Sequence, residues 1–314
     1  MTNKSKLQRI LSHRIIDEVK LRKFIKKSRS IFGPDIWSLL LKNGSYEEYL
    51  TLLNMSFNNN VLFNNDISFK DNDSYDFSLA FNGNILDFIK KNNLPFHNKI
   101  PIDKKILHQI QIDIKRLNTN YTLVKGKDIS KSYINILLLI SHKRYKLGYV
   151  QGMADFLVPF VLNCPEYQAY FLYLDFIKKI EFNIINLQGN LILRFREEME
   201  NIDPVLCDYL HEIGLEFHVF SFRWFNCIFF REFQYQDYMK IFTNILSYKD
   251  INSILVYIGV AILNLLRKDI LTKTYNDNVL MIQDMSNNQT IVVDNLLIIA
   301  NKLYKHNKKN NLKN

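Results

Sequence analysis

The sequence predicts an all-α protein. Only 9 glycines and 6 prolines punctuate its 314 residues, too few for the tight turns of a sheet-rich chain. Leu, Ile and Phe recur instead at helical spacing through long segments. No stretch alternates apolar and polar residues for long enough to demand a strand.

The elements follow in order. Leu7 to Ile25 carries apolar residues at Leu7, Ile10, Leu11, Ile15, Val19 and Phe24 with basic residues between them, the pattern of an amphipathic helix. Phe32 to Leu41 and Tyr46 to Leu53 predict two short helices. The text of 54–84 turns to Asn, Asp and Ser, whose side chains compete for backbone hydrogen bonds, and predicts an insertion or irregular loop. Asp103 to Leu117 predicts a helix with start signals at Pro101 and Asp103. Ser130 to His142 and Gly148 to Leu162 follow, the latter interrupted by Gln151 and Asp155. Further helices are expected at Tyr167 to Ile180, Gly189 to Glu200, Pro204 to Ile213, Ser221 to Arg231, Asp237 to Leu246 and Ile251 to Leu271. A polar gap from Thr274 to Gln289 precedes a last helix from Val292 to Tyr304.

Composition narrows the class. With 47% hydrophobic and 23% charged residues, the chain belongs with folded proteins and not with disordered tails. The 41 Lys and Arg against 31 Asp and Glu leave a net charge of +10, with much of the excess at the two ends. Lysine-rich ends suit two ends at once: keeping a Phe- and Ile-rich helical protein in solution, or drawing it to an anionic membrane leaflet. A nucleic-acid surface would need aromatics free for stacking, and here they fall inside apolar helical patterns. Cys164, Cys207 and Cys227 form no CxxC pair, which argues against a zinc site or a disulfide framework. The opening MTNKSKLQRIL lacks the apolar run of a signal peptide, and the apolar run Ile254 to Leu266 is too short to span a bilayer.

Three constellations carry chemical content. Asp113 and Arg116 lie three residues apart, so on a helix the carboxylate can hold the guanidinium. Arginine is permanently charged and offers a rigid fork of donors suited to phosphate oxygens, although surface Asp–Arg pairs are common. Gly148-Tyr149-Val150-Gln151-Gly152-Met153 places a glutamine beside a glycine at the head of an apolar run. A neutral amide can accept from a water and donate to a phosphate, so it can orient a nucleophile without being a strong base. A tight helix crossing at Gly152 is the plainer explanation of that pattern. Arg223 among aromatics needs a partner if it is half-buried, and Glu232, nine residues on, can supply it.

Taken together, these segments resemble the TBC domain family, helical GTPase-activating domains that act on Rab GTPases. Ile110, Asp113 and Arg116 match its arginine-finger motif I-x-x-D-x-x-R, and Tyr149, Gln151, Gly152 and Met153 match its glutamine-finger motif Y-x-Q-G-M. Arg223-Trp224 and Arg231-Glu232-Phe233 match its R-W and R-E-F segments. Asp203-Pro204 and Trp37 also fit, all in the family's order over roughly residues 29 to 270. The chain departs from the family at Gly33, where an arginine is usual, and at Leu117, where a small hydroxyl residue is usual. Phe242-Thr243 stands in place of a Trp-Asp pair.

The resemblance implies a multi-helix TBC-type fold of two helical subdomains with a V-shaped groove. Residues 29–249 would form that domain, after a basic amphipathic helix within 1–28. Helices within 250–309 would pack on it, ahead of a basic polar tail at 310–314. Arg116 and Gln151 would be the catalytic pair, supported by Ile110, Asp113, Tyr149, Gly152 and Met153. Trp37, Arg223, Trp224, Arg231, Glu232 and Phe233 would be structural. The implied partner is a Rab GTPase in its GTP form. That partner holds the nucleotide and Mg²⁺, so the chain needs no cofactor or metal and runs no reaction of its own. The implied setting is the cytoplasm, with peripheral contact to endomembranes; the departures at Leu117 and Phe242 motivate an alternative, a catalytically weak or inactive Rab-GTP effector or scaffold.

Overall fold

In the computed structural model the side chains of Asp103, Asp203, Asp250 and Thr274 each cap a helix start. The structure describes residues 18–28, 33–41, 44–45, 48–49, 52, 103–117, 123–124, 127–143, 148–186, 190–288 and 291–310. The Asn-rich segment 54–84 and the start of the N-terminal amphipathic pattern lie outside these residues. So does most of Tyr46 to Leu53.

The described chain is helical almost throughout. Its elements begin with α1 (Glu18–Ser28), α2 (Pro34–Leu40) and α3 (Lys104–Arg116). After α3 comes a two-residue hairpin, Leu123–Val124 paired antiparallel with Lys127–Asp128. Then follow α4 (Ser130–Lys143), α5 (Met153–Asn163), α6 (Glu166–Asn186), α7 (Asn190–Ile202), α8 (Pro204–Glu212) and α9 (Phe217–Asn226). A 3-10 turn at Phe230–Glu232 leads into α10 (Tyr235–Leu246) and α11 (Ile251–Ile270). The chain closes with α12 (Tyr275–Gln283), α13 (Met285–Asn288) and α14 (Val293–Asn310).

The helices expected to end at Ile180 and Tyr304 run on to Asn186 and Asn310, and two other expectations are corrected here. The helix expected from Ser221 to Arg231 begins earlier, at Phe217, and stops at Asn226 because Ile228 and Phe229 take positive φ values of 49° and 60°. A left-handed pair of this kind ends an α-helix, and the buried Phe229 ring packing on Trp224 and Phe225 holds it in place. The polar gap from Thr274 to Gln289 contains α12 and α13. Thr274 caps α12 by accepting from the Asp277 N–H, and the buried Asn278 donates to the carbonyls of Ile270 and Lys273. Polar residues here build a helix start, so their composition concealed it.

Residues 42–176 and the remainder, 1–41 with 177–314, form two compact units. In the first, α3 and α5 pack against α4, whose Tyr133, Ile136, Leu137, Leu139 and Ile140 have no exposed surface. Glu166 ties the start of α6 to this layer, accepting from the hydroxyls of Tyr49 and Ser132 and from the Asn135 amide. In the second, Phe195 of α7 meets Phe217, Phe220, Trp224 and Phe225 of α9. Each such buried ring or aliphatic chain contributes about 1.5–3 kcal/mol. The 20-residue α11 is long and apolar enough to cross a membrane by composition, but it lies inside this unit, packed on α7 and α14.

Asp203 caps α8 by accepting from the Leu206 N–H, and pairs with Arg267 at 2.5 Å. The Arg267 hydrogen bond, against a smaller opposing effect of burial, holds the Asp203 carboxyl below its ordinary value. The pair's stabilisation is therefore complete above about pH 4, the unfolded carboxylate's range, and is lost as pH falls through the lowered folded value. Asp203→Asn keeps a good capping residue and removes only the charge. The melting-temperature gap between wild type and this variant is expected to be constant near neutrality and to close in acid. A gap independent of pH would refute it.

Candidate functional site

The centre of the site is a buried carboxylate. Asp113 lies in the last turn of α3, one turn beyond the fully buried Ile110, and is only 5% exposed. A lone buried carboxylate is costly, and four donors offset that cost here. Tyr149 Oη donates to Oδ2 at 2.7 Å and the Gly152 N–H donates to the same oxygen at 3.4 Å. The Gln109 amide donates to Oδ1 at 3.3 Å and Arg116 Nη1 to Oδ1 at 3.5 Å. Burial, then the Asp113 charge, pushes the Tyr149 phenol far above its ordinary value, so it remains a donor throughout the accessible pH range.

This geometry changes the expected role of Asp113. Its contact with Arg116 is long, while its strongest bond runs to Tyr149, 36 residues away. The carboxylate chiefly fastens α3 to the Gly148–Gly152 turn, and the guanidinium rests lightly on it. Arg116 itself is half exposed, with 52% of its side-chain surface open to solvent.

The segment expected to be helical from Gly148 is a turn, and α5 starts only at Met153. Gly148 and Gly152 adopt φ values of 61° and 97°, a left-handed conformation that a side chain at Gly152 would strain. Gly152 is thus required by backbone conformation at the helix start, not by a helix crossing. Its carbonyl accepts from the Asp155 N–H, and Met153 Sδ accepts from the Val150 N–H at 3.3 Å. With both sides of the turn held, Gln151 is exposed between them. Among the described residues no hydrogen bond restrains its amide.

Two contributors escaped the sequence reading. Gln109 sits four residues before Asp113, an i,i+4 amide–carboxylate spacing that a helix reading can detect. Tyr173 of α6 is fully buried and donates to the Met153 carbonyl at 2.8 Å, with its ring against Phe156 and Phe160. In sequence it is indistinguishable from a core aromatic.

The remaining motif residues lie in the other unit. Arg223 binds Glu232 through both oxygens, at 2.6 and 2.7 Å, and donates to the Gln283 carbonyl at 2.9 Å. Burial raises the Glu232 carboxyl while the Arg223 pair opposes it. Trp224 and Phe233 are buried and Arg231 is exposed. Trp37 is buried with its edge on the Phe242 ring, 5.6 Å between centroids, and its indole N–H donates to Thr243 Oγ1 at 3.0 Å. Phe242-Thr243 therefore satisfies the tryptophan both by packing and by hydrogen bonding. Gly33 starts α2, its carbonyl accepting from Ile36 and Trp37. Leu117 ends α3 as a buried cap residue next to Arg116. Among the described residues no cluster of His, Cys, Asp or Glu is arranged to hold a metal ion.

Comparison with known proteins agrees with this anatomy. The model of the Rab-GTPase-TBC domain family matches residues 34–271. The GTPase-activating protein gyp1 of Schizosaccharomyces pombe is 26% identical over 169 residues, which cover 45% of this chain and 33% of that protein. TBC1 domain family member 17 of Homo sapiens is 26% identical over 179 residues, covering 54% of this chain and 27% of that protein. The chain thus matches a third or less of the length of these curated relatives. The crystal structure of the Ypt/Rab-GAP domain of Gyp1p shares the fold, with a TM-score of 0.70 at 20% identity over 96% of this chain and 98% of that one. By the extent of the family match, with the all-helical architecture beside it, the chain belongs to the Rab-GTPase-TBC domain family.

Proposed function

We propose that this protein accelerates GTP hydrolysis by a Rab-family GTPase, with Arg116 and Gln151 acting in trans. The observation that carries this reading is the Asp113 carboxylate. One buried group bonds both the arginine helix and the glutamine turn, so the two side chains project from a single rigid support. A catalytic pair needs its positions held by groups that are themselves immobilised.

The partner, in its GTP form, holds the nucleotide and Mg²⁺, and this chain needs no cofactor for the step. Arg116 neutralises charge developing on the transferring phosphoryl group, where a forked, permanently charged donor is most effective. Gln151 orients the attacking water with its amide. Asp113 is a positioning residue for both, and Tyr149, Gly152 and Met153 shape the turn. The work takes place in the cytoplasm, in the control of vesicle traffic.

Exposure of both fingers favours catalysis over the effector reading, which would be served by either side chain packed inward. The test is phosphate release from a panel of GTP-loaded Rab proteins. Gln151→Ala is expected to reduce stimulation by about 10²-fold while leaving the melting temperature unchanged. If wild type, Arg116→Ala and Gln151→Ala stimulate a responsive Rab equally, the proposal fails.

A further inference from the structure

We propose that the exposed lysines of α1 and of the C-terminal half of α14 form one basic face that binds the anionic headgroups of a membrane surface. The inference stands apart from the GTPase reading, which its failure would leave untouched.

The face is assembled around Tyr248. Lys26 Nζ lies 3.6 Å from the centre of the Tyr248 ring. The Tyr248 hydroxyl donates to Asn301 Oδ1, and the Asn301 amide donates back to the Lys26 carbonyl at 3.3 Å. Tyr304 completes the joint, its ring 4.5 Å from that of Tyr248. These bonds fix the last turn of α1 beside α14.

From that joint the charges project outward. Leu21 and Ile25 bury one side of α1, at 0% and 2% exposure, which leaves Lys20, Lys23 and Lys27 on the opposite side at helical spacing. On α14, Lys302 and Lys305 immediately follow the anchoring Asn301 and Tyr304 and are exposed. Lys179 and Lys249 lie close enough to the start of α1 to act on Glu18.

The acidic groups nearby are engaged within the fold. Glu18 binds Arg22 at 2.7 Å, and Asp250 caps α11 by accepting from Ser253. Glu198 accepts from Tyr257 and Asn307.

A lipid surface fits this face better than a nucleic acid does. Tyr248 is buried and Tyr304 is packed on it, so neither ring is presented for base stacking. The exposed apolar side chain on α1 is Val19, 72% open, which can enter a headgroup layer. Each lysine held near an anionic leaflet strengthens attachment about fivefold, and the effect decays within a Debye length.

The test is co-sedimentation of the full chain with phosphatidylcholine vesicles, with and without phosphatidylserine. Wild type is expected to sediment only with the anionic vesicles and to be released by salt. A variant carrying Lys23→Glu, Lys27→Glu, Lys302→Glu and Lys305→Glu is expected to lose binding by at least ~10²-fold. A control carrying Lys104→Glu, Lys105→Glu, Lys131→Glu and Lys268→Glu has the same net charge and is expected to retain most of it. Should the fourfold variant melt below wild type, the pair Lys23→Glu and Lys302→Glu provides the same comparison. Equal losses in face and control variants, equal binding to neutral vesicles, or binding to RNA without binding to vesicles would each overturn the proposal.

Discussion

Replacing Arg116 by alanine is expected to abolish most of the acceleration of Rab GTP hydrolysis, by about 10³–10⁵-fold, with almost no change in stability. An arginine supplied in trans to a small GTPase is worth that much because it stabilises charge present only in the transition state. The neutral effect on folding follows from the arrangement at Asp113. Without Arg116 the carboxylate still accepts from Gln109, Tyr149 and Gly152, so neither oxygen is orphaned. The lost pair is long and half exposed, and such pairs contribute about 0–1 kcal/mol. Arg116→Lys keeps the charge but not the planar fork, and should recover little of the rate. Single-turnover phosphate release and a melting curve on the same samples check both halves. A stability loss matching the activity loss would mean that Arg116 is structural.

The opposite signature is expected of Asp113→Ala, which should damage folding and catalysis together. Removing this acceptor strands the Tyr149 hydroxyl and the buried Gly152 N–H. At about 1–3 kcal/mol for each unsatisfied group, the variant should lose roughly 2–6 kcal/mol of stability. The Gln151 turn would then lose its bond to α3, so stimulation should fall toward the level of the double variant Arg116→Ala/Gln151→Ala. A cycle with Tyr149→Phe isolates the link. Partners in one hydrogen-bond network couple by about 0.5–3 kcal/mol, whereas a simple sum of the two single effects would show that Asp113 and Tyr149 act independently.

The contrast between these variants bears on the departures from the family pattern. Leu117 adjoins Arg116 but is buried at the end of α3. Phe242 and Thr243 receive Trp37 by an edge-to-face contact and a hydrogen bond. Neither change alters the donors around Asp113, which locates these departures in the scaffold.

Much of this protein was legible in its sequence because the signals are local. Apolar periodicity and the Asp103 cap placed α3 to within a residue, since both act within one or two helical turns. The Arg223–Glu232 pair was legible from the cost of leaving a half-buried guanidinium without a carboxylate. The Thr274–Gln289 helices were missed because Thr, Asn and Asp serve both helix starts and loops. Arg116 and Gln151 could be named from their motifs, yet their spacing alone shows nothing of what holds them.

The tertiary structure decided that part. Sequence spacing suggested that Asp113 serves Arg116, three residues away. The fold shows the same carboxylate accepting its shortest bond from Tyr149 and a longer one from Gly152, nearly forty residues on. The physical reason is burial: within α3 the carboxylate had a neighbour, but only packing against α4 and α5 took it out of water. Once there, it needed donors from wherever the fold could bring them. The sequence by itself determined a helical chain bearing Arg116 and Gln151 in two motifs that resemble the family's. Only the folded chain made one buried charge the common support of both.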